Sequence, residues 1–150
     1  MAEINSAQAA NVAAGTMNKS ADKNRKSMLT VTMPASWSAS NGDTVATKQI
    51  LPASCRGAGV RVSNAAGASS STLSVGIRKA TDGTSADPDA LVNALAITTA
   101  AYAGVFTGAL LTAGQSAIMP AYETAVYLTF GGANPTANQA LRVEIDYVSP

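Results

Sequence analysis

Hydrophobic and polar residues alternate with a period of two in several short runs, the pattern of strands that bury one face and wet the other. Residues 70–79 set the theme: Leu73, Val75 and Ile77 alternate with small or polar side chains. This predicts a central strand. The period returns at 141–147, where Leu141, Val143, Ile145 and Tyr147 can face a core while Arg142, Glu144 and Asp146 face water. Leu29, Val31 and Met33 alternate with Thr before Pro34 closes the run, and the turn Asn41-Gly42-Asp43 opens another strand over 44–51 that ends at Pro52. A third covers 57–63, with Val60 and Val62 inward and Arg61 outward.

Further along, strands are expected near 94–99, 102–111, 116–119 and 123–130, the last with Val126, Leu128 and Phe130 on one face and Tyr127 on the other. Eight or nine short strands with turn signals about every 8 to 12 residues suit a sandwich, and eight is the jelly-roll count. The expected fold class is therefore all-β: an antiparallel, jelly-roll-like β-sandwich at 28–150.

Residues 1–27 read differently, as an extended N-terminal arm. Ile4, Val12 and Met17 stand isolated among Ala, Asn, Ser and Gln, and then Lys19, Lys23, Arg25 and Lys26 cluster. A short helix over 6–14 capped by Ser6 is conceivable, but its alanine-rich face is too weak to anchor it alone. The basic cluster is either a solvated linker or a dock for an acidic surface. Trp37, in a Ser-rich loop, is a core or lid residue or, if exposed, an interface anchor.

Composition narrows the chemistry. A chain of 150 residues makes one domain that buries about 70% of its unfolded surface without metal or disulfide. Charged residues make up 13% and the net charge is +1, which excludes an extended basic face for nucleic acid. Cys55 is the only cysteine, expected to be a buried small apolar residue, and histidine is absent. That removes Ser-His-Asp and Cys-His nucleophile systems and most nitrogen-ligated zinc sites. Glu3 and the lack of an apolar run behind basic residues argue against a secretory signal.

Two stretches invite a sharper reading. Residues 81–89 hold Asp82, Asp87 and Asp89, but lack the ladder of oxygens that a calcium loop delivers, and Asp-Gly and Asp-Pro suit an ordinary turn. Asp82 and Asp87 are also a nominal glycosidase-type carboxylate pair, with nothing near them in sequence to raise a pKa. Residues 91–121 carry no charge and include Gly104 and Gly108 in a GxxxG spacing. Interrupting threonines and turn-like Ala-Gly pairs, with no basic flanks, argue for strands over a membrane span. No metal, cofactor or catalytic set is expected.

The order of segments carries a resemblance. Ile4-Asn5-Ser6-Ala7-Gln8, then Asn41-Gly42-Asp43-Thr44-Val45, Ile50-Leu51-Pro52, Thr72-Leu73-Ser74-Val75-Gly76, Glu123-Thr124-Ala125-Val126-Tyr127-Leu128 and the closing Leu-Arg-Val-Glu-Ile-Asp-Tyr-Val together resemble small virion proteins of tailed bacteriophages, of the capsid decoration or cement type. Where such proteins commonly have Gly-Ala-Arg after Leu-Pro, this chain has Ala53-Ser54-Cys55-Arg56. The resemblance implies a homodimer or homotrimer on the outer capsid surface, partnered with the major capsid protein, and assembling in the host cytoplasm without nucleic acid or membrane contact. It brings no list of functional residues. The alternative is a receptor- or glycan-binding module of a head or tail fibre, with Trp37, Tyr102, Tyr122 and Tyr127 available to stack on sugars. An enzyme would have to work with carboxylates alone.

Overall fold

The computed structural model describes residues 26–105, 107, 108, 110 and 118–149. Eight strands follow in order: β1 (Lys26–Thr32), β2 (Thr44–Leu51), β3 (Arg56–Asn64), β4 (Thr72–Lys79), β5 (Asp87–Ala96), β6 (Ala101–Val105), β7 (Thr124–Gly131) and β8 (Leu141–Val148). They form two four-stranded antiparallel sheets, ordered β1-β8-β3-β6 and β2-β7-β4-β5. This is a jelly roll. Successive strands cross from one sheet to the other except at β4 to β5, so each sheet buries its face only against the other.

The inner faces follow the period-two pattern. Val31, Val60, Val62, Val143 and Ile145 from one sheet meet Leu73, Val75, Ile77, Val126, Leu128 and Phe130 from the other, all buried. β4 lies between β7 and β5, as a central strand should. Cys55 is fully buried beside the core, where burial pushes its thiol pKa up and outweighs a backbone hydrogen bond that lowers it.

Several sequence expectations shift. A strand over 94–99 is replaced by β5, which begins at Asp87 within the expected turn. Its register on β4 runs from Val75↔Val92 to Ile77↔Asp87, so extra residues bulge out between them. The bulge buries Ala90, Leu91 and Val92 in succession, which breaks the alternation that marks other strands, and an edge position tolerates Pro88. Of the strand expected over 102–111, β6 accounts for the start, and of that expected over 116–119 Ile118 bridges to Arg56; residues 106, 109 and 111–117 lie outside the described residues. β1 starts at Lys26, so Lys26 and Ser27 belong to the sandwich and pair with Val148 and Tyr147. Asp146 does not face water; it is 5% exposed.

Two glycines are required by geometry. Gly42 takes φ 91° in the turn that leads into β2. A Cβ at Gly76 would lie 2.5 Å from the Asp87 carbonyl oxygen and 2.7 Å from the Pro88 Cα, so the β5 bulge packs directly on the β4 backbone.

The strands have two ends. At one lie the loops 33–43, 65–71, 97–100 and 132–140; at the other lie 52–55, 80–86 and 118–123, with the start of β1 and the end of β8. A buried amide pair fastens the first end. Gln139 Nε2 donates to the carbonyls of Ala65 (2.7 Å) and Ile97 (2.9 Å), and Asn64 Nδ2 donates to those of Ala65 (2.9 Å) and Thr99 (2.7 Å). Three loops are thereby tied without ionised groups. Because backbone atoms oppose any side chain at position 76, Gly76→Ala is expected to cost about 1–3 kcal/mol, the usual range for overpacking. Urea denaturation at unchanged m-value checks it.

Candidate functional site

Strand pairing assembles an ion network on the outer face of the β1-β8-β3-β6 sheet. Arg61 on β3 stands opposite Glu144 on β8, and its Nε donates to Glu144 Oε2 at 3.1 Å. The same guanidinium reaches Asp146 one pair along, through Nη1 at 3.0 Å and Nη2 at 3.2 Å. Lys26 Nζ meets Asp146 at 2.9 Å, Arg142 meets Glu144 at 3.2 Å, and the Tyr102 hydroxyl donates to Glu144 at 3.3 Å. Three cations thus hold two carboxylates in one plane. Burial alone would raise the Asp146 pKa, but hydrogen bonds and charges from Lys26 and Arg61 outweigh it and hold the carboxyl below its usual range. On Arg61 the Glu144 hydrogen bond is the largest influence, and the guanidinium pKa is raised.

The opposite sheet carries a groove of about 570 Å³ at the end where β1 starts. Lys48, Ile50, Arg78, Lys79 and Asp82 line it. Lys48 sits in a β2 bulge at φ 57°, a left-handed conformation that a non-glycine residue adopts at a cost of order 1–3 kcal/mol. Arg78 lies 5.2 Å from the centroid of the Tyr127 ring and Lys79 5.9 Å from that of Tyr122.

The acidic loop is a turn. Asp82 Oδ1 accepts from the backbone N–H (3.0 Å) and hydroxyl (2.7 Å) of Thr84, the main reason its pKa is lowered, and Oδ2 meets Lys79 at 3.4 Å. Among the described residues no cluster of three or more potential metal-ligating side chains occurs. Asp87, nominally paired with Asp82, instead shares one face of β5 with Asp89, two positions along. Burial raises the Asp87 pKa, and a side-chain hydrogen bond with Asp89 adds to it. Sequence reasoning missed the pair because Asp-Pro-Asp was assigned to a turn; positions 87 and 89 share a face only in a strand.

The aromatic candidates do not converge. Trp37 is half-buried and stacks on Phe130 with centroids 5.2 Å apart, while its Nε1 donates to the Gln139 carbonyl at 2.9 Å, so it lids one end of the core. Tyr102 stands 59% exposed on one sheet; Tyr127 is buried on the outer side of the other; Tyr122 lies in the loop before β7. Of the arm residues, Ile4, Val12, Met17, Lys19, Lys23 and Arg25 lie outside the described residues, whereas Lys26 is the first residue of β1 and bound to Asp146.

Against this geometry the comparisons speak to fold. No family model and no curated protein sequence matches the chain. Strand order and structural neighbours define the class: a jelly-roll sandwich of the kind that occurs in virus capsids. One neighbour is a chain in the capsid of Ralstonia phage GP4, with TM-score 0.64 and 14% identity over 84% of this chain and 85% of that one. Another comes from the cyanophage Pam1 capsid asymmetric unit, with TM-score 0.53 and 17% identity over 85% of each chain. A chain of infectious bursal disease virus strain Gx matches at TM-score 0.50 and 9% identity over 85% of this chain but 33% of its own.

The depressed Asp146 pKa has a signed consequence. The stabilisation it reports is present above the ordinary carboxylate pKa of about 3.9 and is lost as pH falls through the lower folded value. Thermal melts between pH 6 and 2 in roughly unit steps should show the melting temperature falling at the acid end, and Asp146→Asn should lose that part of the slope. A parallel curve for the variant would contradict the shift.

Proposed function

We propose that this protein is a virion structural protein of a tailed phage, a decoration or cement protein that binds the outer surface of the major capsid lattice. The observation that carries the reading is the match of its fold, over nearly the whole length of each chain, to chains in two phage capsids. In both, the jelly roll accounts for most of a chain of about this size, whereas in the bursal disease virus chain it is a third of something larger.

The distribution of charge supports an orientation. The four loops at the Trp37 end carry a single ionised residue, Asp43, among Ser, Ala, Asn, Gly and Thr. Lys26, Arg56, Arg78, Lys79, Asp82, Glu123 and Asp146 lie towards the other end, where the chain preceding β1 also departs. In the proposed orientation that charged end faces the lattice and the neutral end faces outward. Lys19, Lys23 and Arg25 supply the electrostatic part of docking. Proteins that bind only the assembled lattice stabilise it by mass action against the outward pressure of packaged DNA.

Heads stripped of the protein should bind it saturably at a fixed ratio to the major capsid protein in co-sedimentation. Raising salt should weaken that binding. The combined variant Lys19→Ala, Lys23→Ala, Arg25→Ala should reduce both affinity and salt sensitivity, with the melting temperature unchanged. Absence of saturable binding in low salt would overturn the proposal, and binding to a glycan array in its place would favour a receptor-binding role.

A further inference from the structure

Each jelly-roll sheet has two edge strands, and an edge offers unpaired backbone groups to any passing strand unless it is blocked. Three of the four edges are blocked. β2 carries the Lys48 bulge, β5 carries Pro88 with its own bulge and Ala94 at φ 47°, and β6 spans five residues among those described. β1 is different. It pairs with β8 over seven residues without a register shift, contains neither proline nor bulge, and is uncharged from Ser27 to Thr32.

The direction of its backbone groups follows from one bond. Met33 N–H donates to the Leu141 carbonyl at 2.9 Å, and that pair continues the β1–β8 register. Groups of Ser27, Leu29 and Val31 therefore point to β8, and those of Lys26, Met28, Thr30 and Thr32 point away from it. Among the described residues β1 has no partner strand on that side. The side chains there are unusually apolar for an edge: Met28 is 53% exposed, and Leu29 and Met33 are only partly buried.

We infer that β1 pairs with β1 of a second copy across a two-fold axis, joining two four-stranded sheets into one of eight. An antiparallel edge is self-complementary under such an axis. Placing the axis at Thr30 opposes Thr30 to Thr30 and Met28 to Thr32 of the partner subunit, and makes about six backbone hydrogen bonds. On the core side Leu29 then meets Val31 of the partner subunit. Lys26, the one charge on the strand, falls at the two far ends, each already held by its own Asp146. The segments that precede β1 leave in opposite directions. A capsid-binding dimer needs that divergence to reach two lattice subunits, and only this last point rests on the function proposed above.

The oligomer is measured without heads, so the two proposals fail separately. Light scattering on the full chain should give the mass of two chains. Thr30→Pro removes an N–H that points away from β8 and bonds nothing among the described residues, so the folded protomer survives and the mass falls to one chain. Thr30→Cys should cross-link on mild oxidation, because directly opposed residues of a hydrogen-bonded pair have Cα atoms about 5.5 Å apart. Thr32→Cys should not, since two such residues would stand about 13 Å apart along the axis. A monomeric or trimeric wild type, a dimeric Thr30→Pro protein, or cross-linking at 32 in place of 30 would each overturn the inference. If the wild type is monomeric and Thr30→Pro abolishes head binding, the edge takes a strand of the lattice, and the second copy is the wrong occupant.

Discussion

Everything in this sandwich depends on strands from the end of the chain lying in the middle of the sheets. β8 is the sole bridge between β1 and β3, and β7 stands between β2 and β4. Without residues 124–148, β1 and β2 have no partners and β3 keeps only β6, and the two faces of the core lose Val126, Leu128 and Phe130 on one side and Val143 and Ile145 on the other. Such pairings span most of the sequence, so loop-closure entropy is spent before any of them is rewarded. Once closed, the same long-range ladder ties distant parts of the chain into one cooperative unit.

Sparse charge works within that frame. With 13% charged residues, the protein keeps few carboxylates to hold in place, and the two on β8 are held by cations that arrive from β1, β3 and β8 itself. Such a network contributes less to net stability than its short distances suggest, because desolvation of Asp146 opposes the attraction. What it does fix is alignment: a one-residue slip of β8 would carry Glu144 and Asp146 into the apolar layer. The outer face is left flat and already ordered, and a partner that covers it would immobilise little.

Alternation made most of the fold legible in the sequence. β2 is bounded by Asn-Gly-Asp and Pro52, β4 and β8 alternate cleanly, and each was recognisable without knowing its neighbours. β5 was not, because a bulge that buries Ala90, Leu91 and Val92 in a row carries the signature of neither strand nor helix. Asp146 was misplaced for a related reason. Periodicity assigned it to the wet face, and only the pairing of β8 with two neighbours shows that Lys26 and Arg61 close over it. Trp37 could be either lid or anchor until Phe130, ninety-three positions away, was placed beneath it. The likeness to small phage virion proteins rested on turn and strand order; what the structural neighbours share with this chain is the fold.

Lys26 and Val148 are partners in the β1–β8 ladder, so both ends of the sandwich chain emerge side by side. In the proposed orientation a domain fused after Ser149 would therefore be delivered to the end that faces the lattice and compete with docking for space. Peptides meant for display belong at the opposite pole, in the neutral loop 132–138, whose sequence Gly-Ala-Asn-Pro-Thr-Ala-Asn has its backbone largely at the surface. As a scaffold for arraying foreign epitopes on a particle, this protein would have to be opened in the middle and left alone at its termini.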